Sequence, residues 1–300
     1  MGTHHNHSHA PRSFNLAFAI SITVTLGYVI FETIYALTFQ SMSLLADAAH
    51  NLGDVLGLVL AWIANWLLSL PARKRYSYGF KRTTIIAALA NAVILVTTSA
   101  LIAYEAIFKL FNLTAVDTNV VMIVGLIGIL INGGSSLLFM RGAKDDLNIK
   151  GAFWHLFADM LLLVGVVISA LVIKFTGWLW IDPLVGLAIV AIVLWGTWSL
   201  LRDSVHLILD AVPHYIDSAG VKAYLLKIEG VKAIHDLHIW GLSTKEVALT
   251  AHLVMPQHQL SDADFKEINH HLHTEFRINH ATLQVEQGSA HDPCRRIKTC

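Results

Sequence analysis

The sequence predicts an α-helical membrane protein: six transmembrane helices followed by a C-terminal cytoplasmic α+β domain. Three observations lead there. Charged residues make up 14% of the chain against 55% hydrophobic ones, with a mean hydropathy of +0.58, whereas a soluble domain carries about a quarter charged residues. Six apolar stretches each approach or exceed the roughly 20 residues that a bilayer requires. Past Arg202 the composition turns to the polar and apolar mixture of a water-soluble fold.

The six stretches are residues 13–37, 42–67, 83–109, 119–140, 152–175 and 183–201. The first is expected to stay as a helix, because its flank is His-rich and no small-residue cleavage site follows a short apolar core. Basic residues orient the set. Arg12, then Arg73, Lys74, Arg75, Lys81 and Arg82, then Arg141, Lys144 and Lys150 fall on one side, against Lys109 and Lys174 on the other. The positive-inside rule makes the richer side cytoplasmic, with the N-terminus and everything after the sixth span. The short tails and loops favour a bacterial inner membrane.

In the soluble part, residues 217–229 place Ile216, Val221, Tyr224, Leu225 and Ile228 at helical spacing, and Gly230 ends that helix. Residues 231–240 and 247–255 are rich in β-branched side chains and read as strands around the turn 241–245. Ser261 with Asp264 three residues later opens a helix over 261–276, and 281–286 is a last strand. The expected division is therefore a His-rich cytoplasmic tail (1–12), a six-helix membrane domain (13–206) and a cytoplasmic α+β domain with a flexible tail (207–300).

Lys+Arg and Asp+Glu both total 21, so no basic excess points to nucleic acid. Histidine is the unusual count, at 17. His4, His5, His7 and His9 crowd the N-terminus, eleven lie from His206 onward, and only His50 and His155 sit in apolar stretches. The two cysteines, Cys294 and Cys300, come too late to staple a fold.

The second span carries Asp47, His50 and Asp54, and the fifth carries His155 and Asp159. Residues four apart share a helix face, so His50/Asp54 and His155/Asp159 form one His-x-x-x-Asp pattern written twice. Facing each other, the two pairs supply two imidazole nitrogens and two carboxylate oxygens, a donor set for tetrahedral Zn²⁺. Charge accounting agrees. Glu32, Asp47, Asp54, Glu105 and Asp159 lie in the spans with no Lys or Arg mid-span to pair them, so a metal cation or protons must neutralise them. The competing reading, polar side chains that only tie helices together, suits a single pair better than two matched ones. Glu32 and Glu105 stand alone and read as helix-packing or proton-relay residues. Asp47 is placed beside the ligands, as a group that gates or tunes them.

Several motifs resemble the cation diffusion facilitator family of zinc transporters. They are Ser-Leu-Leu-Ala-Asp-Ala-Ala-His-Asn-Leu-Gly-Asp (43–54), Tyr-Ser-Tyr-Gly-Phe-Lys-Arg (76–82), the fifth-span His-x-x-x-Asp, Asp182-Pro183 and His-Asp-Leu-His-Ile-Trp (235–240). The resemblance covers about residues 13–286. It implies six helices, a metallochaperone-like cytoplasmic domain, a homodimer in the lipid membrane, and export of Zn²⁺, with Cd²⁺ or Co²⁺ as other cargoes, in exchange for H⁺. By motif it implies His50, Asp54, His155 and Asp159 as the transport site. Some members bind a second ion between spans two and three; here Tyr76 and Phe80 stand where histidines would, and that site is not expected. In the cytoplasmic domain the resemblance implies a structural Zn²⁺ at His235, His252 and Glu286, with Gln284 replacing a histidine.

Two rival readings share some of these residues. A membrane metalloenzyme built on His270-His271-x-His273 needs more ligands near the bilayer, and no His-Glu-x-x-His motif is present. A metal-gated channel shares the donor set and differs only in lacking proton coupling.

Overall fold

Six long helices come first in the chain because six long apolar runs lie between polar, Gly- and Pro-containing connections. The computed structural model describes residues 12–140, 147–257 and 259–287. The helices are α1 (Arg12–Thr38), α2 (Met42–Leu68), α3 (Thr83–Phe111), α4 (Thr118–Met140), α5 (Leu147–Thr176) and α6 (Ile181–Ile208). Every expected span is a helix. Five have the length and hydropathy to cross a bilayer, and the described apolar part of α1 is Ile22–Thr38. These helices turn apolar surface outward: Trp62, Leu130, Phe175 and Trp195 are 71%, 74%, 79% and 87% exposed. That much bare hydrocarbon is unfavourable in water and requires lipid. The chain is an integral membrane protein.

The helices outrun the apolar stretches at some ends. α6 continues past Leu201 to Ile208, since its added turns, with Arg202, Asp203 and His206, form a polar helix as readily as an apolar one. The His-rich tail before Arg12, Arg141, Lys144, His258 and both cysteines lie outside the described residues.

The chain divides into two compact units. The first holds residues 1–58 and 93–197. Its core is made by Tyr28, Leu44, Leu95, Ile102, Val121, Val124, Leu163 and Val166, all buried. α4 packs on α5 through glycines: a Cβ on Gly125 would stand 2.7 Å from Val167 Cγ2, and one on Gly128 would strike Tyr28 and Leu163. Small residues are the usual means by which membrane helices approach closely. Asp182, 1% exposed at the start of α6, accepts hydrogen bonds from Met42 N at 2.6 Å, Ser41 Oγ at 2.7 Å and the Ser43 hydroxyl. It caps the N-terminus of α2 from another helix, satisfying amides that have no partner of their own there.

The second unit holds residues 59–92 and 198–300. It contains α7 (Ser218–Leu226), β1 (Ala233–Gly241), β2 (Val247–Val254), α8 (Asp262–Phe276) and β3 (His280–Glu286). The sheet order is β1-β2-β3, antiparallel between β1 and β2 and parallel between β2 and β3. A parallel pair needs a crossover, and α8 supplies it. Alternation on β2 sends Val247, Leu249, Ala251 and Leu253 into a core shared with Val221, Leu225, Ile268 and Leu272. The capping box read from Ser261 and Asp264 is formed. α7 stops at Leu226, short of the expected 229, because the following turn closes on Gly230 with φ of 88°.

In this unit the basic loop before α3 ion-pairs with acids after α6: Lys81 with Glu246, and Arg82 with Asp210. Thr244 N also donates to Thr84 Oγ1 at 3.1 Å. The loop and the C-terminal domain therefore share one side of the membrane.

Candidate metal centre

On α2, His50 and Asp54 are one turn apart; on α5, so are His155 and Asp159. Helices two and five of an alternating bundle run in opposite directions, so the histidine of each meets the aspartate of the other. His50 Nε2 lies 3.4 Å from Asp159 Oδ1, and His155 Nε2 lies 3.2 Å from Asp54 Oδ2. Within each helix the separations are 3.7 Å for His50–Asp54 and 3.6 Å for His155–Asp159. Both imidazoles use Nε2, and their rings cross at 83° with centroids 6.1 Å apart.

These lengths carry chemical meaning. Zn²⁺ holds N and O ligands at about 2.0–2.1 Å, which makes a tetrahedron's edge about 3.3–3.4 Å. The four His–Asp separations bracket that edge, with Asp159 meeting His50 through Oδ1 and His155 through Oδ2; Asp54, His155 and Asp159 are the three that present ligand atoms all within 4.8 Å of one another. Three of the four separations lie beyond the normal N–H···O range of about 2.7–3.2 Å. Side-chain exposure is 3% at Asp159, 17% at His50, 29% at Asp54 and 49% at His155. The cluster is therefore sealed at Asp159 and open at His155. Asp47, wholly buried, accepts a 2.9 Å hydrogen bond from Asn51 Nδ2 and is turned to that partner.

A second cluster lies on the face of the sheet opposite its helices. His235, His252 and Gln284 are register partners across the three strands, and Glu286 is two residues beyond Gln284. Glu286 bridges both histidines: Oε2 to His235 Nε2 at 2.9 Å, and Oε1 to His252 Nδ1 at 2.7 Å. Gln284 Nε2 also donates to Glu286 Oε1, at 3.1 Å. The Glu286 carboxyl titrates below its ordinary 4.5, chiefly through the hydrogen bond from His235; partial desolvation opposes this and His252 adds to it. The donor set fits Zn²⁺. The separations are hydrogen-bond lengths, shorter than a tetrahedral edge, so His235, His252 and Glu286 would hold an ion only after giving up the two N–H protons that now bridge them.

One neighbour escaped the sequence reading. Asp236 comes within 4.0 Å of His235 Nδ1 because a β-bulge between His235 and His238, with φ of 49° at Asp236, breaks the strand's alternation. No residue pattern announces that bulge. The other motif histidines do other things. His271 stacks on Tyr224 with centroids 4.0 Å apart, and His270 and His273 are exposed on α8. Tyr76 and Phe80 pack on each other at 4.9 Å, lining a cavity of about 410 Å³ with Arg75, Tyr78 and Trp240.

Comparison with known proteins decides the family. Residues 18–209 match the cation efflux transmembrane domain, and residues 213–288 match the cytoplasmic domain of cation efflux proteins. The chain belongs to the cation efflux family. As a member it is a transporter and not an enzyme, which removes the histidine-box reading. It is 34% identical over 297 residues to the metal cation efflux system protein CzcD of Cupriavidus metallidurans, covering 99% of this chain and 92% of that one. It is 34% identical to the zinc transporter ZitB of Escherichia coli over 96% of this chain and 93% of that one. The cadmium, cobalt and zinc/H(+)-K(+) antiporter of Bacillus subtilis is also 34% identical, with 95% and 94% covered.

Proposed function

We propose that this cation efflux protein exports Zn²⁺, with Cd²⁺ and Co²⁺ as further cargoes, through His50, Asp54, His155 and Asp159 in exchange for protons. The reading rests on one observation above the rest: two His-x-x-x-Asp pairs on opposed helices, interleaved at separations of 3.2 to 3.7 Å. Hydrogen-bonded helix ties have no reason to adopt four similar lengths near a tetrahedral edge. Relatives named for zinc, and for cadmium, cobalt and zinc/H(+)-K(+) antiport, support the cargo and H⁺ as a counter-ion.

Proton exchange follows from the ligands. Imidazole and carboxylate bind metal only when deprotonated, so Zn²⁺ and H⁺ compete for the same atoms. Facing the cytoplasm the site trades protons for metal; facing outward it does the reverse. The cytoplasmic assignment of both termini rests on the basic residues, and the shared side of the basic loop and C-terminal domain supports it. In the same reading the division is a tail (1–12), a membrane domain (13–206) and a cytoplasmic domain (207–300). That last domain pairs two copies of the chain and holds a resident Zn²⁺ at His235, His252 and Glu286, and the membrane is a bacterial inner membrane.

Asp159→Ala tests the site. It removes one ligand and one intramembrane charge, and losing a buried carboxylate does not itself harm folding. In proteoliposomes with and without a pH gradient, the wild type should take up Zn²⁺ and move protons, whereas the folded variant should not. Near-normal Zn²⁺ flux in Asp159→Ala would sink the assignment.

A further inference from the structure

No Asp or Glu lies between Asp54 and Glu105, and that acid-free run contains Arg73, Lys74, Arg75, Lys81 and Arg82. The connection from α2 to α3 that carries these cations is a shaped one. Arg73 and Tyr76 exchange both backbone hydrogen bonds, at 3.1 and 2.8 Å, which sets Lys74 and Arg75 on a tight turn. Gly79, at φ of 69°, then brings its amide back to the Tyr76 carbonyl at 2.9 Å, a backbone that side chains other than glycine resist. Two ties hold the loop to the soluble sheet. Tyr78 meets His280 edge-on with centroids 5.8 Å apart, and Lys81 pairs with Glu246.

The cavity of about 410 Å³ lies between these ties, within the range of small-molecule sites, roughly 300–1,000 Å³. Three cations line it: Arg75, Lys81 and Arg82. Glu246 and Asp210 engage the last two, while no acid among the described residues pairs with Arg75. The cavity is therefore net positive. Its other walls are aromatic and apolar, with Tyr76, Phe80 and Trp240 on one hand and Ile86 on the other. Ile86 is one turn inside α3 and 52% exposed, on the apolar surface that faces lipid. Trp66, near the end of α2, and Tyr76 are 57% and 50% exposed, and exposed Trp and Tyr mark the headgroup level of a bilayer.

We infer that this cavity binds the headgroup of an anionic phospholipid from the leaflet on the side of the C-terminal domain. The phosphodiester lies against Arg75, whose planar guanidinium matches two phosphate oxygens, and the acyl chains pass over Ile86 along α3. Basic pockets at a membrane surface suit such headgroups. Aromatic walls alone would suit a quaternary ammonium, but three cations repel one, so a choline lipid is the wrong occupant. Free phosphate satisfies the cations and leaves the aromatic wall and Ile86 uncovered. A lipid covers both. It also touches the α2–α3 loop and Trp240 of β1 at once, so its binding stabilises the unit that contains them.

Titrating the full-length protein in a neutral detergent with dioctanoyl phosphatidylglycerol, and counting bound lipid by native mass spectrometry, tests the site. Dioctanoyl phosphatidylcholine and sodium phosphate are the comparison ligands. The wild type should retain phosphatidylglycerol in preference to phosphatidylcholine, and phosphate should not displace it. Arg75→Gln should weaken binding about fivefold, the worth of one basic side chain at a membrane surface. Lys74→Gln removes the same charge from the same exposed turn but not from the cavity wall, and should stay within about twofold of wild type. Ser77→Trp keeps every charge and fills the cavity that Ser77 lines, and should lose the lipid. Equal losses in Lys74→Gln and Arg75→Gln, or undiminished binding in Ser77→Trp, would reduce the effect to diffuse attraction and overturn the site. Equal retention of phosphatidylcholine, or displacement by phosphate, would overturn the anionic lipid as its occupant.

Discussion

Replacing His50 by Asp asks whether its Nε2 is a ligand or only a helix tie. The proposed site would then hold one imidazole and three carboxylates. A carboxylate binds through one or two oxygens, so the variant accepts larger coordination numbers than tetrahedral Zn²⁺ needs. Flux of Cd²⁺ relative to Zn²⁺ is expected to rise several-fold, roughly 1 kcal/mol of altered preference, when both ions are measured side by side in proteoliposomes. An unmoved ratio in a folded, active variant would take His50 out of the ligand set. At Glu286 the expectation concerns pH. Its carboxyl is lowered in the folded state, so its contribution is fully present above the ordinary 4.5 and is lost as pH falls through the depressed native value. Hydrogen exchange of β3 amides in metal-free full-length protein should show protection that declines only in that acid window. Glu286→Gln should flatten the decline.

Elements are where the sequence was most legible and also where it ran out. Six apolar runs are enough to place six helices, because the bilayer fixes both their length and their hydropathy. The doubled His-x-x-x-Asp pattern shows which face of α2 meets which face of α5, since the spacing matches one helical turn. Interhelical detail was hidden. Nothing in Asp182-Pro183 reveals that the carboxylate caps α2 rather than its own helix, because that bond joins residues 140 apart in the chain. The bulge that brings Asp236 beside His235 depends on strand pairing, which local preference does not encode. The glycines of α4 make the same point and can be tested. Gly128→Val puts a branched side chain where even a Cβ strikes Tyr28 and Leu163, and overpacking of this kind costs about 1–3 kcal/mol. The variant should lose heat stability in detergent, and because α4 packs on α5, the helix of His155 and Asp159, it should also lose flux. Gly134→Val, on the same helix where a Cβ meets nothing, is the control expected to retain both.

At the scale of the whole molecule, two histidine clusters divide between the two units of the chain, and their chemistry predicts different tasks. The four intramembrane groups are half open at one end only, with separations near a tetrahedral edge, which suits an ion that must enter and leave. The sheet cluster is drawn tight by Glu286, with bonds of 2.7 and 2.9 Å, on a rigid face whose opposite side is the core of its domain. The resident ion proposed there would add binding free energy to the folded domain and would not need to move. His252→Ala separates the tasks. It removes the middle member of the row His235–His252–Gln284 and leaves every proposed intramembrane ligand in place. Zn²⁺ bound per chain should fall, and the melting of the soluble domain should become insensitive to added Zn²⁺. A substantial share of wild-type flux should persist, because on the proposed path the transported ion does not use the sheet. Adding Asp159→Ala should then abolish flux without further change in that melting, the additivity expected of sites that share no ligand. Complete loss of flux in His252→Ala alone would reverse the ranking and make the sheet cluster an obligatory station on the ion's path.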